Sequence, residues 1–276
     1  MTTPSYLSFT QTYYNHFMTQ TDYTKPFSLV LSGGGALGMA HLGVIYDLEQ
    51  HNIQPSEIIG TSMGGIVGAC LAVGMSEKEI TQEIEHFSGL FNWLKFSFSG
   101  NAVIDNQKIA TIFEGIFQDK KMSEVKIPLK LIATNLINGD KKVFTSQDDV
   151  SIKDALLCTM AIPGVFQEHS VEGVIYGDGF LCENLGVNEA SFERVLAVDV
   201  LGTHSFEKEM PDNFFKTKNV LEMFEKSMRL LIHNQTRTHL KNCNKTITLI
   251  EPYTKSYKTY HFHKVEEIRA CGLNLL

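Results

Sequence analysis

Several protein classes are excluded by what this sequence has little of. Cysteine is scarce. Cys70, Cys158, Cys182, Cys243 and Cys271 are odd in number, scattered and free of any C-x-x-C pair. Neither a disulfide framework nor a zinc site is indicated, and a reducing compartment is expected. Runs of Lys and Arg are missing, and 24 Lys+Arg against 31 Asp+Glu leave a net charge of −7. That balance excludes the basic stripe on which phosphate-backbone binding depends, so no nucleic-acid partner is expected. Met1 to Lys25 is polar and rich in Thr and Tyr, with no basic stretch followed by an apolar run. No signal peptide is read there, and the expected location is cytoplasmic. Charged residues are only 20% of the 276, while hydrophobic residues reach 43%. Global disorder is excluded, and a substantial core can form without crosslinks.

One uncharged run needs a decision, the 18 residues from Ile58 to Met75. It is at the lower edge of transmembrane length, with small residues spaced as in packed membrane helices. Five glycines, Thr61 and Ser62 break its apolar content. A buried strand, a tight turn and a buried helix explain it better than a membrane span.

Along the chain, short apolar runs alternate with helical patterns. Phe27–Leu31 reads as a strand ending at three glycines, and Leu37–Gln50 has helical rhythm. Glu57–Ile59 resumes as a strand, Met63–Val73 as a helix, and Ser76-Glu-Lys-Glu79 is a capping box opening another. Strands are also expected at 127–136, 174–176, 195–200 and 246–250, with a hairpin turn at Asn138-Gly-Asp140. Helices are expected at 106–117, 151–160, 221–240 and 265–270. This alternation predicts an α/β fold with a mostly parallel central sheet covered on both faces. Residues 1–26 read as an N-terminal extension and 27–276 as a single domain.

Two glycine-rich turns carry the chemistry. Gly33-Gly34-Gly35-Ala36-Leu37-Gly38 holds G-x-G-x-x-G after a strand and before a helix. A P-loop is excluded, because Met39 and Ala40 stand where Lys and Ser/Thr are needed. A dinucleotide site stays open but is weakened, because Glu57 opens the second strand instead of closing it. Amides at a helix N-terminus suit any anion, including a transient oxyanion. The second turn, Gly60-Thr61-Ser62-Met63-Gly64, is G-x-S-x-G between strand and helix, the arrangement of a nucleophile elbow. Glycine is needed on both sides of Ser62 because a side chain there would meet the neighbouring strand and helix. For the base, His204 comes closest to a triad histidine. Gly177-Asp178-Gly179 instead ends a strand in a tight loop and places a carboxylate at the carboxyl edge of the sheet, where ligands of open α/β sheets bind. An aspartate is a weak base at its ordinary pKa, and burial would strengthen it.

These motifs, with Ala161-Ile162-Pro163-Gly164-Val165-Phe166, occur in the order found in the patatin-like phospholipases, which this sequence resembles over roughly residues 27 to 200. The resemblance implies a three-layer α/β/α fold and a Ser–Asp dyad that hydrolyses acyl esters of lipids. Ser62 would be the nucleophile, Asp178 the base, and the amides of Gly33, Gly34, Gly35, Ala36 and Gly38 the oxyanion hole. A phospholipid or similar acyl ester is the implied substrate, with neither metal nor organic cofactor. The sequence departs from the family pattern at Leu37, where Arg or Lys is frequent, at Phe180 after Asp178-Gly179, and at Asn184-Leu185-Gly186, where Asn-x-Pro is usual.

The stretch from Phe87 to Phe98 is dense in aromatics. It reads as core or a packed loop, or as a surface on which Phe91, Trp93 and Phe96 make transient contact with a membrane. Two other functions stay open: a NAD(P)-binding oxidoreductase using residues 33–38, and a non-catalytic lipid-binding module on the same fold.

Overall fold

Largely apolar runs of four to seven residues become the parallel strands of one sheet. The computed structural model describes residues 23–91, 106–163, 165–205 and 217–276. The strands are β1 Ser28–Leu31, β2 Glu57–Thr61, β3 Leu129–Asn135, β4 Lys141–Phe144, β5 His169–Val171, β6 Val174–Asp178, β7 Arg194–Val198 and β8 Thr246–Ile250. The α-helices are α1 Ala40–Gln50, α2 Met63–Ala72, α3 Glu77–Phe91, α4 Asn106–Phe117, α5 Ile152–Thr159, α6 Thr217–Asn242 and α7 Val265–Ala270. The hydrogen-bonded path runs β5-β6-β3-β2-β1-β7-β8, with β4 also on β3. β1, β2, β3, β7 and β8 are mutually parallel, while β4, β5 and β6 form antiparallel pairs at the β3 end.

Strand alternation divides the core. Leu29, Leu31, Ile58, Leu131, Leu196 and Val198 face one side, with α1, α2, α3, α4 and α5 packed on them. Val30, Ile59, Ile132, Val195 and Ala197 face the other, covered by Leu185, Val187 and Ala190 and by Leu240 of α6. Buried parallel strands are apolar on both faces, which is why they read as continuous hydrophobic runs. The result is the expected three layers, one thick and one thin. Residues 58–75 are β2, a turn and α2, and among the described residues no helix is long and apolar enough to cross a membrane.

Local signals hold. The Ser76 N–H donates to Glu79 Oε2 at 2.8 Å, and the Glu79 N–H returns to Ser76 Oγ at 3.4 Å, closing the capping box of α3. The 138–140 turn joins β3 to β4 in an antiparallel hairpin. The hairpin from β5 to β6 was not expected. It turns through Glu172 and Gly173, both at positive φ. Phe87 is core, stacked on Phe113 at 5.8 Å. Phe91 ends α3, its side chain outside what is described, and Trp93 and Phe96 lie outside the described residues.

The register around β3 positions the site. Ile132 pairs with Thr61 of β2 and with Val143 of β4. Ala133 pairs with Asp178 of β6 and with Lys142 of β4. β4 therefore holds one edge of β3, and β2 and β6 share the other. They run toward each other along that edge and meet with Thr61 and Asp178 on adjacent rungs. Continuing β6 by one residue would drive it into β2. Gly179 lets the chain leave, since a Cβ there would strike the Ile132 carbonyl oxygen and come within 2.9 Å of Thr61 Cγ2.

Gly179→Ala is expected to destabilise the fold by about 3 kcal/mol, because the obstacle is backbone and cannot move aside. Gly115→Ala, inside α4 with nothing within 4 Å of the new methyl, is expected to stabilise it by about 0.5–1 kcal/mol. Thermal unfolding of both variants beside the parent chain reads the two signs.

Candidate active site

Ser62 stands where β2 passes into α2. Its φ of 53° and ψ of −125° are unusual for a residue with a side chain, a strain of about 1–3 kcal/mol. The surroundings impose it. The Ser62 N–H donates to Thr159 Oγ1 at 3.0 Å, and the Thr159 hydroxyl donates onward to the Ile132 carbonyl. The Ser62 carbonyl accepts from Ile66 N–H at 3.0 Å in the first turn of α2. A Cβ at Gly60 would lie 2.5 Å from Gly65 Cα, and one at Gly64 would lie 2.5 Å from the Ser32 carbonyl oxygen. Both flanking glycines are therefore required for close backbone contact, as the motif predicts. The Ser62 side chain does not cap α2, so its hydroxyl is left for other partners at the positive end of the helix dipole.

One of those partners is Asp178. This residue is fully buried at the end of β6. Its N–H donates to the Ala161 carbonyl at 2.9 Å, and its carbonyl accepts from Thr134 Oγ1 at 2.9 Å. Oδ1 accepts the Phe180 N–H at 3.0 Å. Burial pushes the carboxyl up from 3.8 to about 7, against the Phe180 N–H and the Ser62 hydroxyl, which favour the ionised form. Oδ2 is buried and has no partner within full hydrogen-bond geometry. The Ser62 contact is thus looser than a complete hydrogen bond, as is common before substrate tightens a site.

The sequence places Asp178 at the carboxyl edge of the sheet, at the end of a strand whose direction it leaves open. β6 runs antiparallel to β3 and comes back from beyond that edge. It stops at the level of Ser62 because β2 occupies the next rungs.

The glycine loop begins just after β1 and winds into a 3-10 turn over Gly35–Met39. The Gly33 N–H donates to the Asn184 carbonyl at 3.3 Å, and the Ala36 N–H donates to the Thr259 carbonyl at 2.8 Å. Among the described residues, the Gly34 and Gly35 N–H groups make no hydrogen bond. A Cβ at Gly33 would lie 3.1 Å from Ser62 Cβ, so the loop runs directly beside the serine. Gly35 has a φ of +55° and faces the Thr259 carbonyl, a conformation and a contact that only glycine accommodates. Gly38 packs against the Met63 side chain. Of the five loop residues singled out in the sequence, two have committed amides and two have free ones. A pyrophosphate would find the Gly33 and Ala36 amides taken, which further weakens the dinucleotide alternative.

His41 is buried in α1 with Nε2 2.9 Å from the Ser32 carbonyl, and burial pushes its pKa down to about 4. It is a neutral donor that braces the start of the glycine loop. His204 is exposed, with its ring against Tyr253 at 5.9 Å. Sequence reasoning missed Thr159, which precedes the Ala161–Phe166 motif by two residues. It also missed Thr259 and gave Asn184 no role beyond a departure from pattern.

The buried carboxyl has a measurable consequence for stability. In the folded chain Asp178 keeps its proton up to about pH 7, against 3.8 ordinarily. Between those values folding takes up a proton, so its contribution falls as pH rises through about 7. Asp178→Asn is expected to melt close to the parent chain near pH 4 and above it at pH 8, by about 2–4 °C for each kcal/mol relieved. Melting curves at the two pH values decide it.

The family model described as patatin-like phospholipase matches residues 29–191. An uncharacterized NTE family protein of Mycobacterium tuberculosis is 30% identical over 190 residues, which cover 64% of this chain and 50% of that protein. Lysophospholipase NTE1 of Scheffersomyces stipitis is 26% identical over 273 residues, covering 89% of this chain and 17% of that protein. The solved structure of VipD from Legionella pneumophila aligns with a TM-score of 0.43 at 13% identity, covering 89% of this chain and 66% of that one. The chain spans half the length or less of these curated relatives. With a family model matched over more than half of its residues, the chain belongs to the patatin-like phospholipase family.

Proposed function

We propose that the chain is a serine lipid acyl hydrolase of the phospholipase A or lysophospholipase type, with Ser62 as nucleophile and Asp178 as base. The observation that carries this reading is the Ser62 hydroxyl, presented by a strained turn to a buried carboxyl whose pKa lies at about 7. A base poised near the working pH combines readiness to accept a proton with ability to return it.

In the first step Ser62 Oγ bonds to the ester carbonyl carbon while its proton passes to Asp178. The carbonyl oxygen becomes an oxyanion beside the Gly34 and Gly35 N–H groups, aided by the dipole of α2. Collapse breaks the bond to the alcohol, which leaves with the proton from Asp178. Water then attacks the acyl-serine, giving its proton to Asp178, and the acid departs as Ser62 regains its hydrogen. An aspartate alone serves here because burial makes it a better base, so a histidine relay is not needed.

A lipid substrate is supported by the surface around the dyad. Leu136 and Ile137 follow β3, Ile175 lies on β6, and Leu181 is in the turn after Asp178, all large apolar residues left exposed. The Leu136 N–H is bonded to the Ile175 carbonyl at 3.0 Å, so these two residues stand side by side. Acyl chains suit such exposed apolar side chains, and an acidic protein needs apolar contacts to meet a membrane.

Three measurements test the proposal on the purified chain. A fluorophosphonate is expected to label Ser62, and Ser62→Ala to lose both labelling and hydrolysis of p-nitrophenyl butyrate and lysophosphatidylcholine. Asp178→Asn is expected to lower kcat by at least about 10³-fold. Because the base works ionised, kcat/KM is expected to rise with pH through about 7 and then level off. His204→Ala should leave kcat unchanged; a loss matching that of Ser62→Ala would mean a histidine base instead.

A further inference from the structure

Six residues after Asp178, the same segment delivers a second buried polar side chain. Asn184 has no exposed surface. It holds Gly33 at two points. Its main-chain carbonyl accepts the Gly33 N–H at 3.3 Å, and its Nδ2 donates to the Gly33 carbonyl at 3.2 Å. A carbonyl can only accept, so the side-chain amide is fixed with Nδ2 toward Gly33. Its Oδ1 is then left buried without a hydrogen-bond partner. A leucine would fill the same space without burying an unpaired acceptor. What only the amide supplies is the donor to Gly33.

That donor acts on the next residue. The Gly33 carbonyl and the Gly34 N–H belong to one planar peptide unit and point in opposite directions. Holding the carbonyl sets the direction of the N–H. Glycine offers no side chain to restrict its own rotation, so the aim of this amide depends on outside anchors. On the far side, Ala36 is tied through its N–H to Thr259. The two unbonded amides, Gly34 and Gly35, therefore lie between two anchored residues. Asn184 is the anchor next to Ser62.

We infer that Asn184 is a positioning residue for ester hydrolysis: by holding the Gly33 carbonyl it aims the Gly34 amide at the oxyanion formed on Ser62. The inference rests on the function proposed above. It also joins the two halves of the site, because one short segment carries both the base and the brace of the oxyanion loop. Motion of that segment would disturb proton transfer and oxyanion binding together.

The test uses the full chain with p-nitrophenyl butyrate, and with a trifluoromethyl ketone that adds Ser62 as an oxyanionic hemiketal. Asn184→Leu is expected to lower kcat on the order of 10²-fold, with KM within about threefold of the parent value. Affinity for the ketone should fall in step with kcat. A kcat within threefold of the parent chain overturns the inference, as does a loss of kcat with ketone affinity unchanged. Asn184→Asp gives a second reading if the leucine variant fails to fold. Its neutral carboxyl can donate to the Gly33 carbonyl and its ionised form cannot, so the ratio of variant to parent kcat should rise as pH falls. A ratio independent of pH overturns the inference. Ser62→Ala in the same assays separates the two levels: if it still hydrolyses the ester, the proposed function fails first.

Discussion

Two strands converge on a single edge of β3. β2 climbs along it as far as Thr61, and β6 descends along it as far as Asp178, on the adjacent rung. Neither can continue without occupying the other's hydrogen bonds. The chain escapes at Ser62 by a left-handed turn into α2, and at Gly179 by a turn that has no room for a side chain. Most of the local features follow from that collision. The glycines flanking Ser62 allow the helix to start against the backbone of residues 31 and 32. Thr159 ties the Ser62 amide to the carbonyl of Ile132, the rung on which β2 ends. The Ala161 carbonyl holds the Asp178 amide. Strain at one residue persists because bonds on neighbouring elements over-determine it.

The same junction sets the electrostatics. An aspartate at the end of an interior strand is cut off from water, and its carboxyl rises to about 7. A stable fold would avoid such a group or give it a cation. Here it receives one amide and one hydroxyl, which leave it able to ionise near neutral pH but at a cost to folding. The proposed role as proton acceptor would account for that cost, which a purely structural turn aspartate would not. Asp199, at the end of β7, is also buried and pushed up to about 7, with Glu251 beside it as an added cause. Its carboxylate lacks a nearby serine in a strained turn, so a raised pKa alone does not mark a site.

Much of this was legible in the sequence, for identifiable reasons. Residues 29–31, 58–60 and 195–198 are apolar because both faces of an interior parallel strand are buried, and that pattern cannot be mistaken for a half-exposed strand. Gly60 and Gly64 announced the turn because close backbone approach tolerates nothing larger. Asp178 was identifiable from its glycine neighbours, but the direction of β6 was not. A strand ending in a tight turn looks the same in sequence whether it runs with its neighbour or against it. The β5 strand is three residues long, too short for periodicity to register. Thr159, Asn184 and Thr259 carry no local signal. Each is a single polar residue whose importance comes from what the fold brings against it.

Thr259 shows how far that dependence extends. The family match ends at residue 191, yet the Ala36 amide is held by a carbonyl 68 positions beyond it. Thr259 is itself fixed: its N–H and hydroxyl both donate to Glu225 Oε1 at 3.0 Å. Glu225 is paired with Arg229 one turn further along α6, at 2.7 Å, and Arg229 reaches the Tyr257 carbonyl at 3.1 Å. A buried pair of this kind adds little net stability, since desolvation offsets its attraction. Its value lies in direction. It seats the 257–259 segment over Gly35, where the left-handed backbone leaves room for the Thr259 carbonyl and no room for a side chain. Ser62 and Asp178 come from the matched region, but the second anchor of the amides beside them comes from the C-terminal part of the chain. The site is therefore a property of the whole α/β unit from β1 to the segment after β8, and its motifs alone would not hold the Gly33–Gly38 loop in place.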